Sequence, residues 1–248
     1  MVSSMKASIC IATFNRPQLL SKTLVSIFNQ SPSFDFEVIV VDDGSPEAET
    51  AKLCMAYPVK YLLIDRDPSY RNPGVARNLA YKQATGEVII CQSDDTYHSP
   101  YAIQGLVDEL KQGEFVIATV YNVNQLGQIV APDPWGPKYK QFTGPAMPRP
   151  LFFLGALFRE DLLAVGGNDE EFTRPGRDDV WFADCLINGR GLSPRYSAVQ
   201  GYHQDHPRPP LANDYADSKK LYKIKRDQAQ KSGVWRASKS GLWDLKTS

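Results

Sequence analysis

The chain has 248 residues, 42% hydrophobic and 23% charged, and its 28 basic and 28 acidic side chains cancel. That length suits one large α/β domain with or without an appendage. Zero net charge argues against a nucleic-acid binder, which carries a clear basic surplus.

At the N-terminus, residues 1–6 lack the charged-then-apolar form of a signal peptide. No segment approaches the roughly 20 apolar residues that would span a bilayer, so a cytoplasmic, soluble protein is expected. Residues 8–13 form a short apolar run rich in β-branched side chains, and Pro17 opens a helix whose apolar face is Leu19, Leu20, Leu24 and Ile27. The continuous apolar run 37–41 ends in Asp42-Asp43-Gly44-Ser45, as expected of a parallel strand covered on both faces. A helix over about 46–57, a strand over 59–64 and a helix over about 74–84 follow. The buried-type strand 87–91 then ends at Ser93-Asp94-Asp95. Beyond it, a loop leads to a helix near Pro100, and 115–123 reads as a strand. Residues 127–150 are rich in Pro and Gly and hold Trp135, Tyr139 and Phe142, the form of a functional or mobile loop. An apolar stretch 151–158, a short helix 161–165, a helix 178–188 with an acidic first turn and a strand 193–202 complete the domain. The basic tail after Lys219 reads as a solvated helix, which could also close over a diphosphate, meet an anionic acceptor or touch a membrane surface. Cys10, Cys54, Cys91 and Cys185 have no C-x-x-C spacing and read as buried, reduced thiols.

The alternation of strand and helix predicts a single Rossmann-like, mostly parallel twisted sheet flanked by helices, with a C-terminal helical extension. Right-handed crossovers place all the strand C-termini on one edge, where open α/β sheets bind ligands. Three polar clusters fall at such ends: Thr13 to Asn15, Asp42-Asp43 and Asp94-Asp95. Carboxylates at 94 and 95 suit a hard divalent cation, Mn2+ or Mg2+, although either could simply cap the following helix. Those at 42 and 43 suit hydrogen bonds from a nucleobase or ribose, or plain turn chemistry.

Six short pieces in fixed order resemble the inverting glycosyltransferase family 2, with the glycosyltransferase A fold. They are Ile11-Ala12-Thr13-Phe14-Asn15-Arg16-Pro17, Val40-Val41-Asp42-Asp43-Gly44-Ser45, Asn72-Pro73-Gly74-Val75-Ala76-Arg77-Asn78, Ser93-Asp94-Asp95, Val165-Gly166-Gly167-Asn168-Asp169 and Arg177-Asp178-Asp179-Val180. The resemblance covers about residues 6–206. It implies a catalytic domain over 1–210, with a nucleotide-binding half at 6–123 and an acceptor half at 124–210, before a basic extension at 211–248. It implies transfer from a nucleoside diphosphate sugar, with UDP the expected nucleotide, to a saccharide or other hydroxyl acceptor. By that resemblance Thr13, Asn15, Arg16 and Asp42 or Asp43 line the base and ribose pocket, and Arg77 approaches the nucleotide. Ser93 and Asp94 are also nucleotide-binding; Asp94 or Asp95 holds the metal, with His203 completing its shell and His206 in reserve. Asp179 is the expected general base, with Asp178 beside it. Gly155 is the small residue that lets the sugar approach, and Trp135 either stacks on a sugar or anchors its loop. Gln92 departs from the pattern, because the family's motif there is often Asp-Ser-Asp-Asp. A sugar-nucleotide-forming nucleotidyltransferase and a non-catalytic nucleotide-sugar-binding protein are the alternatives. The first lacks the Gly-rich phosphate loop it would need after the first strand.

Overall fold

Apolar residues on both faces of successive strands commit the chain to a sheet sandwiched between helices. The computed structural model describes residues 6–67, 72–131, 141–173, 176–206 and 212–243. Its elements are β1 (Lys6–Thr13), α1 (Pro17–Phe28), β2 (Asp35–Asp42), α2 (Glu49–Met55), β3 (Val59–Leu63), α3 (Pro73–Gln83), β4 (Val88–Ser93), β5 (Thr96–His98), α4 (Ala102–Glu109), β6 (Glu114–Val123), β7 (Gln141–Thr143), β8 (Leu154–Phe158), α5 (Arg159–Val165), α6 (Asp178–Arg190), β9 (Ser193–Gln204) and α7 (Ala212–Ser232). One sheet runs β3-β2-β1-β4-β8-β6-β9-β5, with β7 on β6.

The two-residue side-chain period of the strands divides the core. Ile9, Ile11, Val38, Val40, Val88 and Ile90 face Leu20, Leu24 and Ile27 of α1 and Ile103 and Leu106 of α4. Cys10, Ile39, Val41, Ile89 and Cys91 face Ala76, Ala80 and Tyr81 of α3 and Phe182 and Leu186 of α6. All four cysteines are buried free thiols. Burial of each large aliphatic chain contributes ~1.5–3 kcal/mol, which is why these runs tolerate no charge.

Strands β3, β2, β1 and β4 are mutually parallel. Strand β8 then inserts antiparallel between β4 and β6, and β9 returns parallel to β6. The antiparallel insertion follows from the direct hairpin-like return of 141–158, which has no crossover helix. Two short strands were hidden in stretches that read as loops. β5 pairs with β9, Thr96 opposite His203, and β7 pairs with β6. His98 therefore stands in a strand, not in the loop expected for it.

The tail also departs from expectation. Lys225 is 5% exposed, and Ala229, Ala237 and Leu242 are buried. Residues 233–243 return across α5 and α6 instead of leaving a solvated helix. Trp243 packs on Gly166 and the Trp235 backbone on Gly189; neither glycine has room for a Cβ. No helix among the described residues is long and apolar enough to cross a membrane.

Candidate active site

The parallel register of β1 with its neighbours builds the first part of the site. Thr13 lies opposite Asp42, and Ala12 opposite Ser93, so both acidic turns leave the same sheet edge. Asp42 Oδ1 accepts from the Ser45 amide and hydroxyl at 2.8 and 2.6 Å, and Oδ2 accepts from the Tyr61 hydroxyl at 3.0 Å. Asp43 pairs with Arg66 at 3.0 Å and accepts from the Asn72 amide at 2.9 Å. Both carboxylates thus shape the turn. Asn15, exposed and left-handed at φ 50, is pinned to it by its amide, which donates to Ser45 Oγ at 2.7 Å.

Asp94 and Asp95 are each 5% exposed. Thr13 Oγ1 donates to Asp94 Oδ2 at 2.8 Å, and Ser93 Oγ to Asp95 Oδ1 at 2.7 Å. Arg16 Nη1 lies 3.0 Å from Asp95 and 3.6 Å from Asp94. The register Thr96↔His203 carries the end of β9 to this turn, and Gln204 N donates to the Asp95 carbonyl at 2.8 Å. His203 Nε2 and His206 Nε2 then stand 3.5 and 3.2 Å from Asp95 Oδ2. Asp95, His203 and His206 offer ligand atoms within 4.8 Å of one another, a set that fits a divalent metal ion. His203 Nδ1 lies 2.8 Å from Asn122 Oδ1, which accepts its hydrogen bond and orients the ring so that Nε2, facing Asp95, is the nitrogen that would ligate a metal. Phe142 and Phe153 pack edge-on against the His203 ring. Burial and the neighbouring Asp95 push the Asp94 carboxyl up to about 6. Burial acts on Asp95 too, but His203, His206 and Arg16 outweigh it and hold that carboxyl well below the usual range.

Gln92 belongs to a separate buried strut. Its Nε2 donates to the Ser93 and Thr96 carbonyls at 2.8 and 2.6 Å, and its Oε1 meets His98 Nε2. Gln30 Nε2 lies 2.9 Å from His98 Nδ1, so Nδ1 accepts and Nε2 carries the proton. Burial lowers the His98 pKa to about 3, so it stays neutral. Where the family often has a third carboxylate, this chain uses an amide to brace the turn that holds the other two.

The second part of the site opens α6. Its N-cap, Arg177, is left-handed at φ 67, and Asp178 and Asp179 form the first turn, where the helix dipole favours anions. Arg77 Nη1 donates to Asp178 Oδ2 at 2.9 Å and lies 3.4 Å from Asp179 Oδ1. The Phe152 amide donates to Asp179 Oδ2 at 3.3 Å. Burial, followed by the adjacent Asp178, raises the Asp179 carboxyl to about 6 against the pull of Arg77.

One short segment ties the two parts together. Phe152 N reaches Asp179, while the Phe153 carbonyl accepts from Ser93 N at 2.9 Å. Gln92, Phe152, Arg77 and Asp179 also line a common small cavity. Thr13, Arg16, Ser93, Asp94, Asp95, His203 and His206 meet in one cluster, Asn15, Asp42 and Asp43 lie at the adjoining turn, and Arg77, Asp178 and Asp179 gather at the head of α6; two further expected residues are separate cases. Gly155 sits inside the sheet, where an added Cβ would stand 2.7 Å from the Val116 carbonyl oxygen; its smallness serves strand packing. Trp135 lies outside the described residues. The sequence reading missed Asn122, because no motif spacing marks a residue that acts through its register; it placed Phe152 and Phe153 beside Gly155, between donor and acceptor, and their backbone contacts to Asp179 and Ser93 appear only in the fold.

The family model for glycosyl transferase family 2 matches residues 8–158. Dolichol-phosphate mannosyltransferase of Pyrococcus furiosus is 30% identical over 112 residues, 44% of this chain and 31% of that protein. Poly(ribitol-phosphate) beta-glucosyltransferase of Bacillus spizizenii is 38% identical over 97 residues, 38% of this chain and 15% of that protein. The chain therefore spans less than half the length of these relatives. Among solved structures, S. aureus TarS 1–349 in complex with UDP superposes with a TM-score of 0.62 at 21% identity, covering 89% of this chain and 65% of that one. GalNAc-T7 with UDP, GalNAc and Mn2+ gives 0.63 at 16% identity, covering 92% and 52%. The match over most of the sheet, with the glycosyltransferase A fold of these neighbours, leads to one conclusion: the chain belongs to glycosyl transferase family 2.

Proposed function

We propose that this chain transfers a sugar from a nucleoside diphosphate sugar, with UDP as the nucleotide, to a hydroxyl acceptor with inversion at the anomeric carbon. The observation that carries this reading is the bridge at Phe152-Phe153, which sets a basic carboxylate beside a metal-ligand cluster. Relatives named as sugar transferases, and a UDP-bound neighbour of the same fold, support the donor class.

The turn at 42–45 with Asn15 and Arg16 receives the base and ribose. Thr13, Arg16, Ser93 and Asp94 border the diphosphate. Asp95, His203 and His206 would hold a divalent cation, which when bound neutralises charge developing on the departing diphosphate. Asp179 takes the acceptor proton. Its raised pKa of about 6 leaves it ionised at pH 7 yet more basic than an ordinary carboxylate, as a general base requires. Inversion follows from the chemistry: a single displacement needs one base on the side opposite the leaving group, and the Asp178-Asp179 pair supplies it.

Screening nucleotide sugars with manganese, then acceptors with the best donor, tests the reading. Asp179→Asn is expected to lower transfer by about 10²–10⁴-fold, the range for removing a general base, while UDP binding measured by calorimetry stays within twofold. Wild-type transfer by that variant would remove the assignment, and pyrophosphate in place of UDP as the product would move the protein to the nucleotidyltransferases.

A further inference from the structure

We propose that Arg77 is a positioning residue for the acidic pair, aiming Asp179 at the acceptor hydroxyl, and not a contact to the nucleotide. The inference rests on Asp179 being the base. Arg77 stands on α3, and a network independent of any ligand fixes that helix against the approach to α6. Asn72 caps α3 by accepting from Gly74 N at 3.1 Å and Val75 N at 3.4 Å, while its amide donates to the Glu170 carbonyl at 2.8 Å. Asn78, one residue beyond Arg77, donates to the Asn168 carbonyl at 2.7 Å and accepts from Asn168 N at 2.9 Å. The helix carrying the guanidinium and the segment leading to the acidic pair are thus sewn together on both sides of Arg77.

The guanidinium spends its charge on the pair. Nη1 is shared between Asp178 and Asp179 at 2.9 and 3.4 Å, and the Phe152 amide takes the other Asp179 oxygen. One donor from α3 and one from the turn before β8 hold the two Asp179 oxygens and so orient the carboxylate. A nucleotide contact made by Nη1 would leave Asp178 and Asp179, like charges in adjacent positions, without the donor they share.

The charged and titratable groups around Asp179 are few. Asp178 on α6 opposes its ionisation, and Arg77 on α3 favours it. Cys91 on β4, Tyr81 on α3 and Cys10 on β1 line the same small cavity. Burial pushes Cys91 up to about 12 and the other two well above their ordinary values, so all three stay neutral while Asp179 titrates. Arg77 and Asp178 therefore act on the base in opposite directions, a signature that loss of folding does not produce.

The experiment compares wild type, Arg77→Met, Arg77→Lys, Asp178→Asn and Asp179→Asn at saturating manganese, reading kcat from pH 5 to 9 and the Kd for UDP. In Arg77→Met the acid limb of kcat should move up by about one pH unit, since an adjacent opposite charge shifts a carboxylate by about 1–3 units. Its kcat at pH 7 should fall by about 10–100-fold, the scale of a misaligned reacting group, with the UDP Kd within twofold. Arg77→Lys should restore part of the limb, and Asp178→Asn should move it down. A limb that stays put in every Arg77 and Asp178 variant, or a UDP Kd that rises tenfold in Arg77→Lys, overturns the proposal. If Arg77→Met does not fold, Arg77→Lys and Asp178→Asn still decide. An active Asp179→Asn would instead overturn the base assignment itself, so the two failures are distinct.

Discussion

Two imidazoles and one carboxylate would make an unusual set for an ion that also met a diphosphate, as proposed above. Mg2+ prefers six oxygens and sheds water reluctantly, whereas Mn2+ accepts nitrogen more readily. With Gln92 turned into the brace of the Ser93–Thr96 turn, the protein donors to such an ion would be Asp95, His203 and His206. Manganese with UDP is therefore expected to raise the melting temperature more than magnesium with UDP at equal concentration, and Asp95→Asn should erase the difference. Equal shifts with both ions, or a manganese shift surviving in Asp95→Asn, would place the metal elsewhere. Much of this cluster was legible before the structure. An acidic pair after a buried strand, and a His-rich turn after the last strand, mark themselves by type and position. The choice between Asp94 and Asp95 was not legible: Asp95 meets both histidines because Thr96 sits opposite His203 in a three-residue strand too short to show in any pattern. Gly155 is ambiguous for a related reason, since a glycine required by the Val116 carbonyl looks in sequence like a glycine required by a ligand.

Among the elements, α7 and the strap that follows it contribute most to the body of the protein relative to what their sequence advertised. Lys225 Nζ lies 2.8 Å from Asp169 Oδ2, also meets Glu171, and donates to Ser238 Oγ at 2.6 Å. Trp181 Nε1 and Ser238 N complete the shell of Asp169 at 3.2 and 2.9 Å. Removing one partner of such a buried pair leaves an uncompensated charge and costs about 3–5 kcal/mol. Lys225→Met should therefore lower the urea midpoint by that equivalent, and Asp169→Asn added to it should recover part of the loss. A Lys225→Met protein as stable as wild type would show the pair to be incidental. The helices and strands of the first half were readable because their apolar periodicity is strong and repeats. The tail was not, because its helix buries mainly Ser218, Lys225 and Ala229, and its apolar anchors, Ala237 and Leu242, lie past the helix end. A row of lysines looks the same in sequence whether one of them is buried or all are solvated.

At the scale of the whole molecule, the sheet does not divide into separable halves at residues 123 and 124. Strand β8, from the second half, lies between β4 and β6 of the first, and β9 adds to the far side of β6. The carboxylates at the end of β4 and the histidines at the end of β9 are consequently set by one continuous ladder, to which Phe152 and Phe153 tie the acidic head of α6. The strap joins the same body: Glu170 N donates to the Lys239 carbonyl and Gly241 N to Glu170 Oε1, at 2.9 and 2.7 Å, beside the asparagines that fix α3. Of the 4 tryptophans in the chain, Trp181, Trp235 and Trp243 sit where α6 meets the strap, and Trp181 and Trp235 have ring centroids 5.9 Å apart. Tryptophan emission therefore reports chiefly on docking of the C-terminal segment, whereas far-ultraviolet circular dichroism reports on the sheet and all the helices. Because the strap braces the loop between α5 and α6 and the sheet halves interleave, both signals should trace one urea transition with a common midpoint and slope, the mark of a cooperative unit. An emission change complete at lower urea than the dichroism change would make residues 211–248 an independently dissociating appendage, and the acidic pair would then have to owe its position to the sheet and α3 alone.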